Sequence, residues 1–170
     1  MINSFCPECH KIVPVRIENL YETLTVRGIT VSAYHPVSIC SICSAEFVTA
    51  DQMDEGLANT YKVYREMTGV ISPEKIIQLR NKYNASQKAF GIILGFGELT
   101  INTYEKGSIP SEAHQKVLES AEDAEWFCKQ FEKAKPKLGQ TQIKRIEQAI
   151  SGLTDSTITV ASNNVYSLSN

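Results

Sequence analysis

The amino-acid sequence predicts an α+β protein, in which a small N-terminal β domain with four cysteines precedes an all-α domain of five helices. Two Cys-x-x-Cys units enclose stretches that are rich in β-branched residues and alternate in polarity. After residue 48 the apolar residues change to helical spacing. The predicted divisions are residues 1–68, a β domain with a trailing hinge helix, residues 69–134, the helical domain, and residues 135–170, a C-terminal extension that is either a dimerisation arm or a disordered tail.

Composition narrows the class of protein. The 170 residues carry 17 basic and 19 acidic side chains, and 42% of the residues are hydrophobic, which is typical of a folded chain of one or two small domains. No segment is apolar enough to span a membrane, and the first residues lack the pattern of a signal peptide. We therefore expect a cytoplasmic protein without a membrane partner. The net charge of -2 argues against a generic polyanion binder.

Four of the five cysteines form a regular pattern, because two Cys-x-x-Cys pairs are separated by thirty residues. The ligands of this pattern are Cys6, Cys9, Cys40 and Cys43. Two such pairs complete a tetrahedral site that suits zinc in charge and softness. A redox-active site would need only one Cys-x-x-Cys pair, so the presence of two makes that alternative less favoured. All four positions are filled by thiolates, so we predict one structural Zn²⁺ per chain. His10 and His35 are expected at the surface or in a hairpin, and Cys128 is expected to be a buried free thiol.

Strands are predicted between the cysteine pairs, at residues 12–17, 21–26 and 29–34, with a hairpin turn at Arg27–Gly28 and a further short strand at 45–48. Thr49 and Gln52 then form a capping box that starts the hinge helix, which ends near Gly69. Its apolar positions at helical spacing are Met53, Leu57, Tyr61, Tyr64 and Met67.

Five short helices follow, and their order is typical of a helix-turn-helix DNA-binding domain. They start at Ser72–Pro73, at Ser86, near Glu98, at Ser111 and near Asp123, and Gly95 breaks the second. The predicted core positions of the second and third helices are Phe90, Ile93, Leu94, Phe96, Ile101 and Tyr104. In the extension, Thr141 to Ile150 reads as an amphipathic helix, and residues 157–166 as a hairpin or a disordered end.

The run from Ser86 to Gly107 resembles the Xre/Cro-like helix-turn-helix family. Together with the cysteine pairs, the chain is similar to the MqsA (YgiT-type) family of zinc-finger antitoxins over about residues 5–132. The matching features are Cys-Pro-x-Cys at the start, the cysteine spacing, and the Pro73–Glu74 helix start followed by Ile76, Ile77 and Arg80. The resemblance implies a homodimer that represses its operon at a palindromic operator. It also implies that the four cysteines hold zinc and that the hairpin face binds a protein toxin.

One departure from that family affects DNA recognition. The base-reading Asn and Arg of the family fall at Leu99 and Thr103, and neither side chain can make their bidentate contacts. The predicted base contacts therefore move to Glu98, Thr100, Asn102 and Thr103, with Leu99 against a thymine methyl group and Glu98 alternatively a helix cap. The predicted phosphate contacts are Ser86, Gln87, Lys88 and Lys106. Arg80 and Lys82 are either further phosphate contacts or part of a solvated helix face.

The leading interpretation is an antitoxin-type transcriptional regulator that binds double-stranded DNA and a cognate toxin. Two alternatives remain, a stand-alone repressor of a phage or mobile element and a zinc-ribbon protein-interaction module. An enzyme is not expected, because the sequence offers no open metal site, Cys/His pair or carboxylate dyad, and His114 is isolated.

Overall fold

A computed structural model describes the backbone of residues 2–163 and the side chains of residues 2–152. It is an α+β structure, as the sequence predicts, with a four-stranded antiparallel sheet followed by seven α-helices. The chain divides into two compact units, Met1–Val70 and Ile71–Asn170. None of the helices among the described residues combines the length and the apolar character needed to cross a membrane.

The first unit contains the whole sheet, whose strands pair in chain order. The strands are β1 (Ile2–Cys6), β2 (Lys11–Val26), β3 (Ile29–Cys40) and β4 (Glu46–Phe47). The sequence did not indicate β1, and β2 joins two predicted strands into one. The hairpin turn lies where predicted, with Val26 opposite Ile29. Arg27 and Gly28 both have positive φ, 49° and 82°, which is the conformation of a tight two-residue hairpin turn.

The trailing helix of this unit, α1 (Ala50–Thr68), has the predicted caps. The Thr49 and Gln52 side chains form the capping box, and Gly69 ends the helix in the left-handed conformation at φ 71°. Of the apolar positions predicted for α1, Tyr64 is buried, but the prediction is wrong for Met53, Leu57 and Met67. Its buried residues are Gln52, Gly56, Thr60 and Tyr64, whereas Met53, Leu57 and Met67 are exposed.

His35 on β3 explains this difference. Its imidazole Nε2 lies 3.0 Å from the Thr60 hydroxyl, and a Cβ atom at residue 56 would overlap the ring. Only a small or polar helix face can therefore approach β3 at this point. His35 lies in the β2–β3 hairpin, one of its two predicted places, and its side chain is mostly buried, with 15% exposure.

The second unit is entirely helical. Its helices are α2 (Pro73–Lys82), α3 (Gln87–Leu94), α4 (Thr100–Glu105), α5 (Glu112–Ser120), α6 (Ala124–Ala134) and α7 (Gln140–Asn163), with a short 3₁₀ turn at Lys135–Lys137. Four helices begin at the predicted caps, where a side-chain oxygen accepts a backbone N–H of the first turn. These caps are Ser72, Ser86, Ser111 and Asp123.

Aromatic stacking forms the centre of the helical core. The Tyr83 and Phe127 rings stack with centroids 3.6 Å apart, and Phe90 packs beside Phe127 at 6.0 Å. The Tyr83 hydroxyl donates to the Ala121 carbonyl at 2.8 Å, so its polar end is satisfied, and burial raises the pKa of Tyr83 to about 12. Ile146 of α7 is fully buried in the same cluster.

The C-terminal extension contains a longer helix than predicted. Residues 157–163, predicted as part of a hairpin or a disordered end, belong to α7, and residues 164–166 lie outside the described part. Adding residues to an existing helix costs far less than nucleating a new element, so the helix that begins at Gln140 overrides the β-branched composition of this stretch.

Candidate metal centre and nucleic-acid interface

The four predicted ligands come together at one end of the sheet. Cys6 ends β1 and Cys40 ends β3, whereas Cys9 and Cys43 lie in the two turns that follow these strands. The Sγ atoms of Cys6 and Cys43 are 3.7 Å apart, and those of Cys9 and Cys40 are 3.8 Å apart. All four sulfur atoms lie within 4.8 Å of one another.

This geometry fits one metal ion. Tetrahedral coordination with metal–sulfur bonds of about 2.3 Å requires sulfur atoms about 3.8 Å apart. Backbone amides support the thiolates: the Cys9 N–H donates to Cys6 Sγ at 3.3 Å, and the N–H groups of Ile42 and Cys43 donate to Cys40 Sγ at 3.3 and 3.4 Å. The four cysteines thus form a site that can bind one metal ion, and together they supply all four ligands of a tetrahedral coordination sphere.

The pKa values of the cysteine thiols indicate how metal affinity depends on pH. The backbone N–H of Cys43 lowers the pKa of Cys40 to about 6, so this thiolate forms at neutral pH. The shared hydrogen bond with the Cys43 side chain, followed by burial, raises the pKa of Cys9 to about 12. A bound cation must displace the Cys9 proton, and metal affinity therefore decreases as the pH falls.

Among the described side chains, this is the one group of three or more potential metal ligands. Neither histidine that was considered as a substitute belongs to it. Val13, Val15 and Phe47 pack against the cluster, and Cys43 remains exposed. The metal site therefore forms part of the small core at this end of the sheet.

The predicted DNA-binding residues lie on α3, on α4, on the turn between them, and at the cap positions Ser86 before α3 and Lys106 after α4. Gly95 ends α3 with φ 75°, and residues 95–99 lead into α4. The predicted core residues of both helices are buried, namely Phe90, Ile93, Leu94, Phe96, Ile101 and Tyr104. The two helices are therefore fixed to each other by apolar packing, and their polar residues lie outside that core.

The structure joins four of the predicted DNA-binding residues in pairs. The Asn102 amide donates to the Gln87 side-chain oxygen at 3.1 Å, and Lys88 forms an exposed ion pair with Glu98. The Thr103 hydroxyl donates to the Leu99 carbonyl at 3.0 Å, and four predicted residues remain outside these side-chain pairs. Of these, Ser86, Thr103 and Lys106 are exposed, and Thr100 is partly buried.

Ser86 already uses its polar groups inside the protein. Its hydroxyl accepts the Ala89 N–H as the cap of α3, and its own N–H donates to the Gln142 side chain on α7 at 2.9 Å. Ser86 therefore has less capacity for a phosphate than the sequence suggested.

A buried ion pair beneath this surface was missed by the sequence reasoning. Both oxygens of Glu105 on α4 accept from the Arg80 guanidinium on α2, at 2.6 and 3.3 Å, with side-chain exposures of 7% and 17%. The Gln87 amide donates to Glu105 at 2.6 Å, so the network continues through Gln87 to Asn102. Arg80 is thus neither a solvated residue nor a free phosphate ligand, and nothing in the spacing of the sequence pairs it with Glu105.

His114 also differs from the prediction. It is partly buried, its ring stacks on Phe96 at a centroid distance of 4.0 Å, and the Tyr104 hydroxyl lies 2.7 Å from its Nδ1. These contacts show that His114 packs between α4 and α5.

Comparisons of the chain with models of known protein families and with curated proteins give no match.

Removal of the metal should unfold the first unit alone, because its small sheet buries too little apolar surface to be stable without the four-sulfur site. We expect a chelator to abolish the strand signal in circular dichroism while the fluorescence of Trp126, the only tryptophan, stays native. Cys43→Ser should reduce metal content below one ion per chain, whereas the control Cys128→Ser should retain it. A full strand signal in metal-free protein would contradict this.

Glu105→Ala should destabilise the helical unit, because it leaves the largely buried Arg80 guanidinium without its charged partner. We expect a loss of about 3 kcal/mol, measured by denaturant unfolding followed by Trp126 fluorescence. The control Lys75→Ala removes an exposed pair with Glu122 and should cost less than about 1 kcal/mol. Equal losses for the two variants would show that the buried pair has no special role.

Proposed function

We propose that the protein is an antitoxin-type transcriptional regulator, which binds operator DNA through α3 and α4 and a protein toxin through the metal-stabilised first unit. The observation that carries the DNA-binding part is the network from Arg80 through Glu105 and Gln87 to Asn102. It fixes two side-chain amides between the first residue of α3 and the middle of α4.

Fixed amides suit base recognition. An Asn or Gln side chain reads adenine through two hydrogen bonds in the major groove, and this requires a defined orientation of the amide. A buried ion pair supplies that orientation, since Glu105 accepts from both Arg80 and Gln87. In a helix-turn-helix, the second helix enters the major groove and the first crosses the backbone, which corresponds to α4 and α3 here.

The exposed residues around α4 suit the same role. Leu99 is 74% exposed at the start of α4, where an apolar side chain can contact a thymine methyl group. Lys106 is exposed just beyond α4 and has no ion pair within the described part of the chain. Residues 71–122 carry six basic and six acidic side chains. Affinity for DNA must therefore come from a few placed groups and from two-fold binding of a homodimer to a palindromic site.

We infer that the metal is zinc and that its role is structural. Four thiolates prefer a soft or borderline ion, and zinc accepts tetrahedral geometry without strain. Four cysteine ligands fill the tetrahedral coordination sphere and leave no coordination position for a reacting water. This supports a metal that stabilises the sheet rather than one that takes part in catalysis. The proposal therefore does not include an enzymatic activity.

The outer face of the β2–β3 hairpin is the surface we assign to the toxin. Tyr21 and Tyr34 are paired across the strands with ring centroids 4.9 Å apart, and they are 64% and 60% exposed. Ile17 lies on the same face and is 43% exposed. Exposed tyrosines are enriched in protein interfaces. Residues 1–70 carry five basic and eight acidic side chains, so this unit favours a basic partner.

Two other functions compete with this one. A stand-alone repressor of a phage or mobile element would use the same DNA surface without a toxin. An interaction module would use the hairpin face and would not bind DNA. A binding assay with the DNA upstream of the protein's own reading frame distinguishes the interaction module from the two DNA-binding functions. Binding of a protein encoded beside this gene distinguishes the antitoxin from the stand-alone repressor.

Asn102→Ala should abolish discrimination between upstream and random-sequence duplex, because the amide is the proposed base contact. Lys106→Ala should weaken binding to both duplexes and reduce the slope of the salt dependence by about 1. Both effects are measured by titrating the zinc-loaded full chain with each duplex at several salt concentrations. Equal losses on the two duplexes for Asn102→Ala would rule out the base contact. An absence of wild-type binding to both would rule out the DNA-binding function.

Tyr21→Ala combined with Tyr34→Ala should weaken binding of the protein encoded beside this gene by roughly 100-fold, since paired interface aromatics often contribute 2 kcal/mol or more. Titration calorimetry of the purified pair measures this loss. Met53→Ala, an exposed apolar residue on α1, is the matched control and should retain the wild-type affinity. If the wild-type protein binds no neighbouring product, the stand-alone regulator is the better function.

A further inference from the structure

The C-terminal helix α7 lies beside the first residue of α3. The connection is the hydrogen bond from the Ser86 N–H to the Gln142 side chain, at 2.9 Å across 56 residues of sequence. Ile146 is fully buried in the helical core, and Ile143 and Ile150 pack against that core. The first turns of α7 are therefore held in a fixed position relative to α3.

Helical geometry determines which side chains of α7 lie near α3. Residues three apart share one side of a helix, so Arg145 follows Gln142 along the flank that faces α3. Glu147 lies on the other flank, where it accepts from Lys135 at 2.9 Å. Lys144 is only two residues from Gln142 and lies on the side of the helix turned away from α3.

The segment around the start of α7 is strongly basic. Residues 133–145 contain five basic side chains and no acidic one, in a chain with 17 basic residues out of 170. Lys135 is neutralised by ion pairs with Glu132 and Glu147. Arg145 is exposed and has no ion pair among the described residues. It therefore offers an uncompensated positive charge on the side of α7 that also carries Gln142.

Ser86 makes this charge relevant to DNA. A phosphate that approaches a helix-turn-helix is expected at the N-terminus of its first helix, where backbone N–H groups point outward. Here the Ser86 N–H is already bound to Gln142, so one of these donors is used within the protein. Arg145, on the same flank of α7 as Gln142, can supply a replacement, and a guanidinium matches phosphate oxygens with two parallel N–H donors.

We propose that Arg145 binds a backbone phosphate of duplex DNA beside the start of α3, so that α7 extends the DNA-contact surface of the helical unit. This inference rests on the proposed DNA-binding function and assigns a role to the C-terminal extension within it. The contact is made to the phosphate backbone, so it is independent of base sequence.

The test compares Arg145→Ala with Lys144→Ala in the zinc-loaded full chain. Each substitution removes one exposed positive charge from α7, and the two positions are adjacent in the sequence. Only Arg145 lies on the flank of α7 that faces α3. Association constants are measured by fluorescence anisotropy over a salt series, with the upstream duplex and with a duplex of random sequence. Helical circular dichroism verifies that both variants are folded.

Arg145→Ala should weaken binding to both duplexes by roughly fivefold at low salt. It should also make the slope of log association constant against log salt shallower by about 0.9, the value for one lost phosphate contact. Lys144→Ala should change neither quantity, and Arg145→Lys should restore most of the slope because it keeps the charge.

Equal effects of Arg145→Ala and Lys144→Ala, or an unchanged slope for Arg145→Ala, would overturn the contact while wild-type binding still supports the proposed function. If the wild-type chain binds neither duplex, the proposed function and this contact both fail.

Discussion

The Arg80–Glu105 ion pair determines the geometry of the proposed DNA-binding surface. It connects α2 to α4 and, through Gln87, also holds the first residue of α3. Taking two charges out of water is costly, and the cost is offset only when each has good partners. Both oxygens of Glu105 are used, and Arg80 also donates to the Ala85 carbonyl at 3.0 Å. The pair therefore contributes a defined arrangement of three helices more than it contributes stability.

The first unit depends on a comparable constraint of different chemistry. Its strands β2 and β3 are long, but much of β2 is exposed, and a separate small core contains Cys6, Cys9 and Cys40. The antiparallel register brings the ends of β1 and β3 together, and the two following turns complete the donor set. Because apolar burial alone is small here, the ligands and the residues that pack on them act as one structural element. The proposed partner surface on the hairpin would then depend on the metal site without contacting it.

The sequence predicted the features that depend on local rules. Cysteine spacing, the hairpin turn at Gly28 and the serine caps each follow from short-range geometry, and all appear in the structure. The features that it missed depend on tertiary partners. The exposure of Met53 reflects the His35 ring opposite α1, and the burial of Arg80 reflects an acidic residue on another helix. The helix at residues 157–163 has a different cause, because extension of the helix that begins at Gln140 outweighs the local strand propensity.

The placement of charge connects these observations to function. Residues 71–122 are electrically neutral, and the ion pairs of Lys88 with Glu98 and of Arg80 with Glu105 reduce the positive charge that their helices can offer to DNA. A surface of this kind positions amides and apolar side chains well but attracts a polyanion weakly. Residues 133–145 carry five basic side chains, of which Lys135 is paired with Glu132 and Glu147, and Gln142 anchors α7 at the start of α3. Orientation is then provided by the amides of α3 and α4, whereas the proposed Arg145 contact adds a placed positive charge for the phosphate backbone. Under the proposed function, the exposed Arg145 gives the C-terminal extension a role, because it would add positive charge beside a helical segment whose own charges cancel.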